Sequence, residues 1–218
     1  MQCLVNGVTL WYETTGEGAP LLLLHGNGES HEIFDAALPL LATRFKVYAI
    51  DTRGHGKSSP VAEYHYRDMA EDIIAFVGAL GIQKPVLYGF SDGGIVALIV
   101  GMLAPWLPKR IIASGANCTP RGLNAKFLQN ARREWKMTKD PLLQLMLTEP
   151  HIGRTALAKI GVPVDLIAGE HDIVRTAHTL AMARALNQAS LHILAGETHE
   201  SYIVHSEKIA RILLATLQ

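Results

Sequence analysis

The stretch Val86-Leu87-Tyr88-Gly89-Phe90-Ser91-Asp92-Gly93-Gly94-Ile95-Val96-Ala97 constrains the fold more than any other part of this chain. A short apolar run ends in Gly-x-Ser-x-Gly, and an apolar, helix-compatible run follows at once. That order predicts a strand, a very tight turn and a helix. Gly89 and Gly93 lie two residues either side of Ser91. Lacking side chains, they let the strand end and the helix start approach closely. Ser91 then stands at the tip of a strained turn with its hydroxyl outward. The free N–H groups of the first helical turn converge on the same point, where they can hold a developing oxyanion. Gly-x-Ser-x-Gly alone is a weak signal; its place between an apolar strand and an apolar helix makes it informative.

The remaining chain alternates strands and helices. Residues 3–5, Asn6-Gly7 and 8–13 read as a hairpin, because Asn-Gly supplies the two positive φ angles of a type I′ turn. Leu21-Leu22-Leu23-Leu24 reads as a strand buried on both faces. Apolar residues at helical spacing predict a helix over 33–43, and 45–50 is the next strand. Over 66–80, Met69, Ile73, Phe76, Val77 and Leu80 share one helical face, closed by Gly81. The helix at 92–103 is followed by a strand at 110–114. Helices at 123–137, 141–147 and 154–160 come next, within a largely polar segment. A strand at 163–168, a helix at 176–186, a strand at 190–194 and a helix at 206–217 close the chain. This alternation predicts an α/β fold: a doubly wound, mostly parallel eight-stranded sheet with an N-terminal antiparallel hairpin. At 218 residues and 49% apolar composition, one core suffices. A single domain over 1–218 is expected, with a short helical insertion at about 119–150.

In such sheets function gathers at the carboxyl ends of the strands. His25-Gly26-Asn27, Ser91, Asp172 and His199 all fall there. A serine hydroxyl is a poor nucleophile until a base takes its proton. Histidine does so near neutral pH, and a carboxylate fixes its tautomer and stabilises the imidazolium. Asp172 follows the penultimate strand and His199 the last. Glu170 competes with Asp172 for the carboxylate role. His205 and His171 compete with His199, although His205 precedes the closing helix and His171 projects elsewhere. Asp51, Arg53 and His55 read as an ion-paired turn bracing the rim, and His25 as a hydrogen-bonded structural histidine.

Five pieces can now be set side by side: His25-Gly26-Asn27-Gly28, Asp51-Thr52-Arg53-Gly54-His55-Gly56-Lys57-Ser58, Gly89-Phe90-Ser91-Asp92-Gly93-Gly94, Gly169-Glu170-His171-Asp172 and Gly196-Glu197-Thr198-His199. In this order, at strand ends, they resemble the α/β-hydrolase-fold enzymes over essentially the whole chain. The resemblance implies Ser91 as nucleophile, His199 as general base and then acid, and Asp172 as the orienting carboxylate. It implies the backbone N–H groups of Asn27 and Asp92 as oxyanion donors. The implied reaction is hydrolysis of a small carboxylic ester or thioester through an acyl-enzyme, with no cofactor and no metal. Cofactor-free perhydrolase, lactonase, amidase and carbon–carbon hydrolase chemistry use the same three residues. A small-molecule receptor without turnover is the alternative of another class. A carboxylate at Asp92 opposes oxyanion charge if it points inward, so it is expected to point away or to be hydrogen-bonded. The 119–150 insertion is short for a cap of this fold. Its apolar residues, Leu123, Phe127, Leu128 and Met146 among them, either roof the pocket or join two copies in a homodimer.

Charge excludes other classes. Lys+Arg and Asp+Glu number 20 each, and no basic block marks a nucleic-acid or membrane surface. The start has neither a basic stretch nor a long apolar one, and the longest apolar run, 95–107, contains Pro105. Cys3 and Cys118 lie far apart and are expected as free buried thiols, and the ten histidines show no metal-ligand spacing. A cytoplasmic protein is expected from these features.

Overall fold

The first turn has the geometry its sequence demands. Asn6 and Gly7 take φ of 45° and 79°, so β1 (Gln2–Val5) and β2 (Val8–Thr15) pair antiparallel with Val5 opposite Val8. The computed structural model describes residues 1–217; Gln218, the last residue of the expected domain, lies outside them. In β3 (Ala19–Leu24) the four leucines are wholly buried. That strand pairs in parallel with β4 (Phe45–Ile50) on one side and β5 (Val86–Phe90) on the other. A strand covered on both faces has no use for polar alternation, which is why 21–24 is a solid apolar run. β6 (Arg110–Ser114), β7 (Val164–His171) and β8 (Ala189–Thr198) complete the sheet. Its order is β1-β2-β4-β3-β5-β6-β7-β8. β2 is antiparallel to β4, and every pair from β4 onward is parallel. This is the doubly wound, mostly parallel sheet with an antiparallel start that the pattern predicts.

Eight α-helices appear among the described residues: α1 (Leu38–Leu41), α2 (Tyr66–Ala79), α3 (Asp92–Leu103), α4 (Ala125–Thr138), α5 (Pro141–Thr148), α6 (Arg154–Leu157), α7 (Thr176–Ala185) and α8 (Lys208–Thr216). Helices α2, α3, α6 and α7 cover one face of the sheet, and α1 and α8 the other. Helix α3 is buried nearly all round, so its apolar residues follow no single stripe.

Two expectations are corrected. The helix predicted over 33–43 is instead a 3-10 turn, His31–Phe34, and the single turn α1. Pro39 lies in the first turn of α1. It has no N–H to give, and its ring clashes with the carbonyl four residues back, so a helix cannot run through. The strand predicted over 190–194 extends to Thr198, because β8 follows β7 past a register shift between Gly169 and His171.

Between β6 and β7 the chain leaves the sheet. Asn124 caps α4 by accepting from the Phe127 N–H at 2.8 Å, and Asp140 caps α5 by accepting from the Leu142 N–H at 2.8 Å. Pro141 opens α5 at a position where its missing N–H costs nothing. Leu123, Leu128 and Val174 form a small apolar cluster beneath these helices. Among the described residues no helix is long and apolar enough to cross a membrane. Nor, among the described residues, is any group of three His, Cys, Asp or Glu side chains placed to hold a metal. Cys3 and Cys118 are free and buried.

Candidate active site

Ser91 joins β5 directly to α3 with φ 51° and ψ −113°. Such a conformation costs a non-glycine residue about 1–3 kcal/mol, which the packing on either side must offset. The packing is tight. A Cβ on Gly89 would lie 2.1 Å from the Gly93 carbonyl oxygen, and one on Gly93 2.2 Å from that of Leu24. The Ser91 N–H is fixed by the Ser114 carbonyl at 2.7 Å.

His199 lies just past the end of β8 with its ring between two partners. Its Nε2 is 3.1 Å from Ser91 Oγ, and its Nδ1 is 2.6 Å from Asp172 Oδ1. The Asp172 side chain is almost wholly buried, at 1% exposure. Its Oδ1 also accepts from the Val174 N–H at 2.9 Å, and its Oδ2 from the Gly169 N–H at 3.3 Å. The Phe90 ring packs 4.9 Å from the His199 ring. Gly115, at φ 60°, leaves room for the imidazole; a Cβ there would be 2.7 Å from His199 Cε1.

The rival residues are engaged elsewhere. Glu170 accepts from the Gly196 N–H at 2.8 Å. His205 pairs with Asp35 at 2.9 Å, and His171 pairs with Thr198 in the sheet. Arg53 makes a two-pronged bond to Asp72, at 2.6 and 2.7 Å. Asp51 accepts from the His31 and Lys57 N–H groups at 2.7 and 2.9 Å. These residues brace the turn and do not line the cavity beside Ser91. His25 donates from Nδ1 to the Gly26 carbonyl at 2.8 Å, while its Nε2 accepts the Thr52 N–H at 3.1 Å. Burial pushes its pKa down to about 4, so the ring is neutral and holds the loop ahead of Asn27.

Asn27 and Asp92 flank Ser91 in the cavity wall. Neither backbone N–H is taken by another group among the described residues. The Asp92 carboxylate is occupied: it accepts from the Tyr66 hydroxyl at 2.7 Å and from Asn27 Nδ2 at 2.9 Å. Burial pushes this carboxyl up, and the two hydrogen bonds pull it back. The carboxylate therefore ties the two flanking residues together by their side chains. Nothing local in the sequence marks Tyr66 for this role, because the bond spans 26 residues. Tyr66→Phe is expected to lower unfolding free energy by about 1–3 kcal/mol, the cost of removing one donor from a buried carboxylate. Urea unfolding with an unchanged slope is the check.

Glu29 is the second residue that sequence alone does not reveal. It lines the cavity with Ser91, His199, Asn117, Glu200, Leu123, Phe127, Met146 and Ile173. Burial is the main cause pushing its pKa up from 4.5 to about 7, opposed by its bond from the Gly26 N–H. A carboxyl raised in the folded state withdraws stability as pH rises through its folded pKa. The melting temperature of Glu29→Gln relative to the natural protein is therefore expected to increase between about pH 5 and about pH 8. Thermal denaturation across that range tests it.

Comparison with known proteins identifies the family of this fold. The family model described as alpha/beta hydrolase fold matches residues 19–132, more than half of the chain. The human protein named serine hydrolase BPHL is 29% identical over 249 residues, covering 98% of this chain and 84% of the relative. The enol-lactonase from Burkholderia xenovorans LB400 superposes with a TM-score of 0.82 at 19% identity, covering 100% of this chain and 99% of the other. The carboxylesterase CesB from Bacillus subtilis gives 0.82 at 19%, covering 100% and 90%. At such identity the two structures speak for the fold alone. On the sequence match and the shared fold together, the chain belongs to the α/β hydrolase fold family.

Proposed function

We propose that this protein is a serine hydrolase that cleaves small carboxylic esters or thioesters through an acyl-enzyme on Ser91. The observation that carries the reading is the continuous relay from Ser91 Oγ to His199 Nε2 at 3.1 Å and from His199 Nδ1 to Asp172 at 2.6 Å. His199 takes the hydroxyl proton as Ser91 Oγ bonds to the carbonyl carbon. The carbonyl π electrons move to oxygen, and the resulting oxyanion accepts from the Asn27 and Asp92 N–H groups. Fixed donors of this kind stabilise the intermediate by about 3–4 kcal/mol. Collapse re-forms the carbonyl and expels the alcohol or thiol, which takes the proton from His199. Water, deprotonated by His199, then attacks the acyl carbon, and collapse expels Ser91 Oγ, which takes the proton back from His199 as the acid leaves.

The walls support a small substrate. The cavity holds about 180 Å³, below the roughly 300–1,000 Å³ of drug-sized pockets. Leu123, Phe127 and Met146 line it from the helical insertion at 119–150, which we read as a thin cap on one domain. The human relative's name, serine hydrolase, is in keeping with the proposed chemistry.

Intact-protein mass after treatment with a fluorophosphonate, run beside Ser91→Ala, is the test. A single adduct on the natural protein, absent from Ser91→Ala, is the expected result. No adduct on the folded natural protein would overturn the reading and favour a receptor that binds without turnover.

A further inference from the structure

The mechanism proposed above gives no task to Glu29, although its carboxyl stands in the cavity wall with Ser91 and His199. The side chain folds back over its own loop. Its Oε2 accepts from the Gly26 N–H at 2.8 Å, and the Glu29 N–H reaches the Gly26 carbonyl at 3.4 Å. A Cβ on residue 26 would meet Glu29 Oε2 at 2.6 Å and the Phe90 ring at 3.2 Å, so only a glycine there leaves room for the carboxyl beside the loop. Oε1 meets no donor among the described residues.

We propose that Glu29 sets the charge preference of this pocket: it disfavours esters whose acyl chain carries a carboxylate and leaves the site to uncharged ones. The inference rests on the hydrolase reading and extends it to a substrate class. Three observations support it. First, the carboxyl is anchored by a backbone N–H, so swinging aside when an anion enters costs it that bond. Second, no lysine or arginine lines the cavity to neutralise an entering carboxylate. Third, the other charged groups do not compensate. Glu200, from the loop after β8, adds a second negative charge to the lining, while Asp92, at the start of α3, is held by Tyr66 and Asn27. His199 is the one group in the lining able to carry positive charge, and it must be neutral to act as a base.

Ionisation gives the assignment a signature that a loop brace lacks. Burial, with Glu200 and Asp92 nearby, pushes Glu29 up to about 7, while the Gly26 N–H and His199 pull it down. Discrimination against an anion is therefore weak below that pH and full above it. Changes in His199 protonation or in loop geometry act on neutral and anionic esters alike and cancel in their ratio.

The experiment compares kcat/KM for monomethyl adipate with that for methyl hexanoate, from about pH 6 to about pH 8, following acid release. The adipate carboxylate stays ionised throughout this range. Fluorophosphonate labelling of Ser91 is recorded first. In the natural protein the adipate-to-hexanoate ratio is expected to fall about tenfold across the range, as befits a like charge several ångströms away in a partly solvated cavity. In Glu29→Gln, whose amide oxygen still accepts from Gly26, the ratio is expected to stay level. Glu200→Gln is expected to retain the fall. A ratio that is the same in the natural protein and in a labelled Glu29→Gln at about pH 8 overturns the assignment. A fall that persists in a labelled Glu29→Gln, or disappears only in Glu200→Gln, overturns it too. Absence of labelling on natural Ser91 removes the hydrolase reading and this assignment with it. Labelled Ser91 with equal ratios in the natural protein and Glu29→Gln removes the charge assignment alone.

Discussion

Ser91→Ala is expected to lower kcat/KM for a short activated ester by a factor of about 10⁵, a loss of the size seen when a serine nucleophile is deleted. The reason is local. Alanine keeps the turn and the free Asn27 and Asp92 N–H groups, but it leaves His199 Nε2 with no hydroxyl at 3.1 Å to deprotonate. Residual turnover then comes from water and from the oxyanion donors alone. His199→Ala is expected to match it within an order of magnitude, because residues acting as one unit are not additive. Steady-state hydrolysis of an activated butyrate ester by both variants is the measurement. A Ser91→Ala protein that retained even a hundredth of natural activity would show that another group attacks the carbonyl.

The second large effect falls on Asp172. Removing the carboxylate in Asp172→Ala takes away the acceptor that sits 2.6 Å from His199 Nδ1. The ring then loses both its orientation and the charge that stabilises its protonated form, and kcat is expected to fall by about 10⁴. Asp172→Asn separates the two contributions. Oδ1 receives both the His199 Nδ1–H and the Val174 N–H, whereas Oδ2 receives only the longer contact from Gly169, at 3.3 Å. An asparagine therefore places its oxygen at the Oδ1 position, with its amide toward Gly169. The tautomer needed to accept from Ser91 survives and the charge does not. Asp172→Asn is expected to be more active than Asp172→Ala and still well below the natural protein. Kinetics of both variants decide this; an asparagine variant no better than alanine would mean that the amide had turned toward His199. Glu170→Gln is expected to be nearly silent, because Glu170 is engaged with Gly196.

Much of this arrangement is written in short-range chemistry. Asn-Gly at 6–7 can serve a I′ turn, the four leucines at 21–24 suit a strand with two covered faces, and Gly89 and Gly93 permit the contact that puts Ser91 at a tip. Each is a property of residues within a few positions of one another, so each is legible in one dimension. Alternation of strands and helices then gives the parallel sheet, and the parallel sheet gathers Ser91, Asp172 and His199 at one edge. The break within 33–43 is legible too, in Pro39, although apolar spacing alone predicts one helix there.

Distance and direction in space were not legible. His199 and Ser91 are 108 residues apart, and their 3.1 Å contact depends on where β8 ends after its register shift against β7. That same end of the sheet turns Asp172 toward His199 and Glu170 toward Gly196, a choice between near neighbours that composition leaves open. Tyr66, Asp92 and Asn27 meet only because α2, α3 and the loop after β3 converge above the sheet. Glu29 gains its raised pKa from burial beside that convergence. The sequence by itself determined the architecture and the residue types at the strand ends, because turns, periodicity and topology follow from local stereochemistry. Tertiary structure alone decided which of those residues touch and which carboxyls are desolvated, because both depend on atoms brought together from distant parts of the chain.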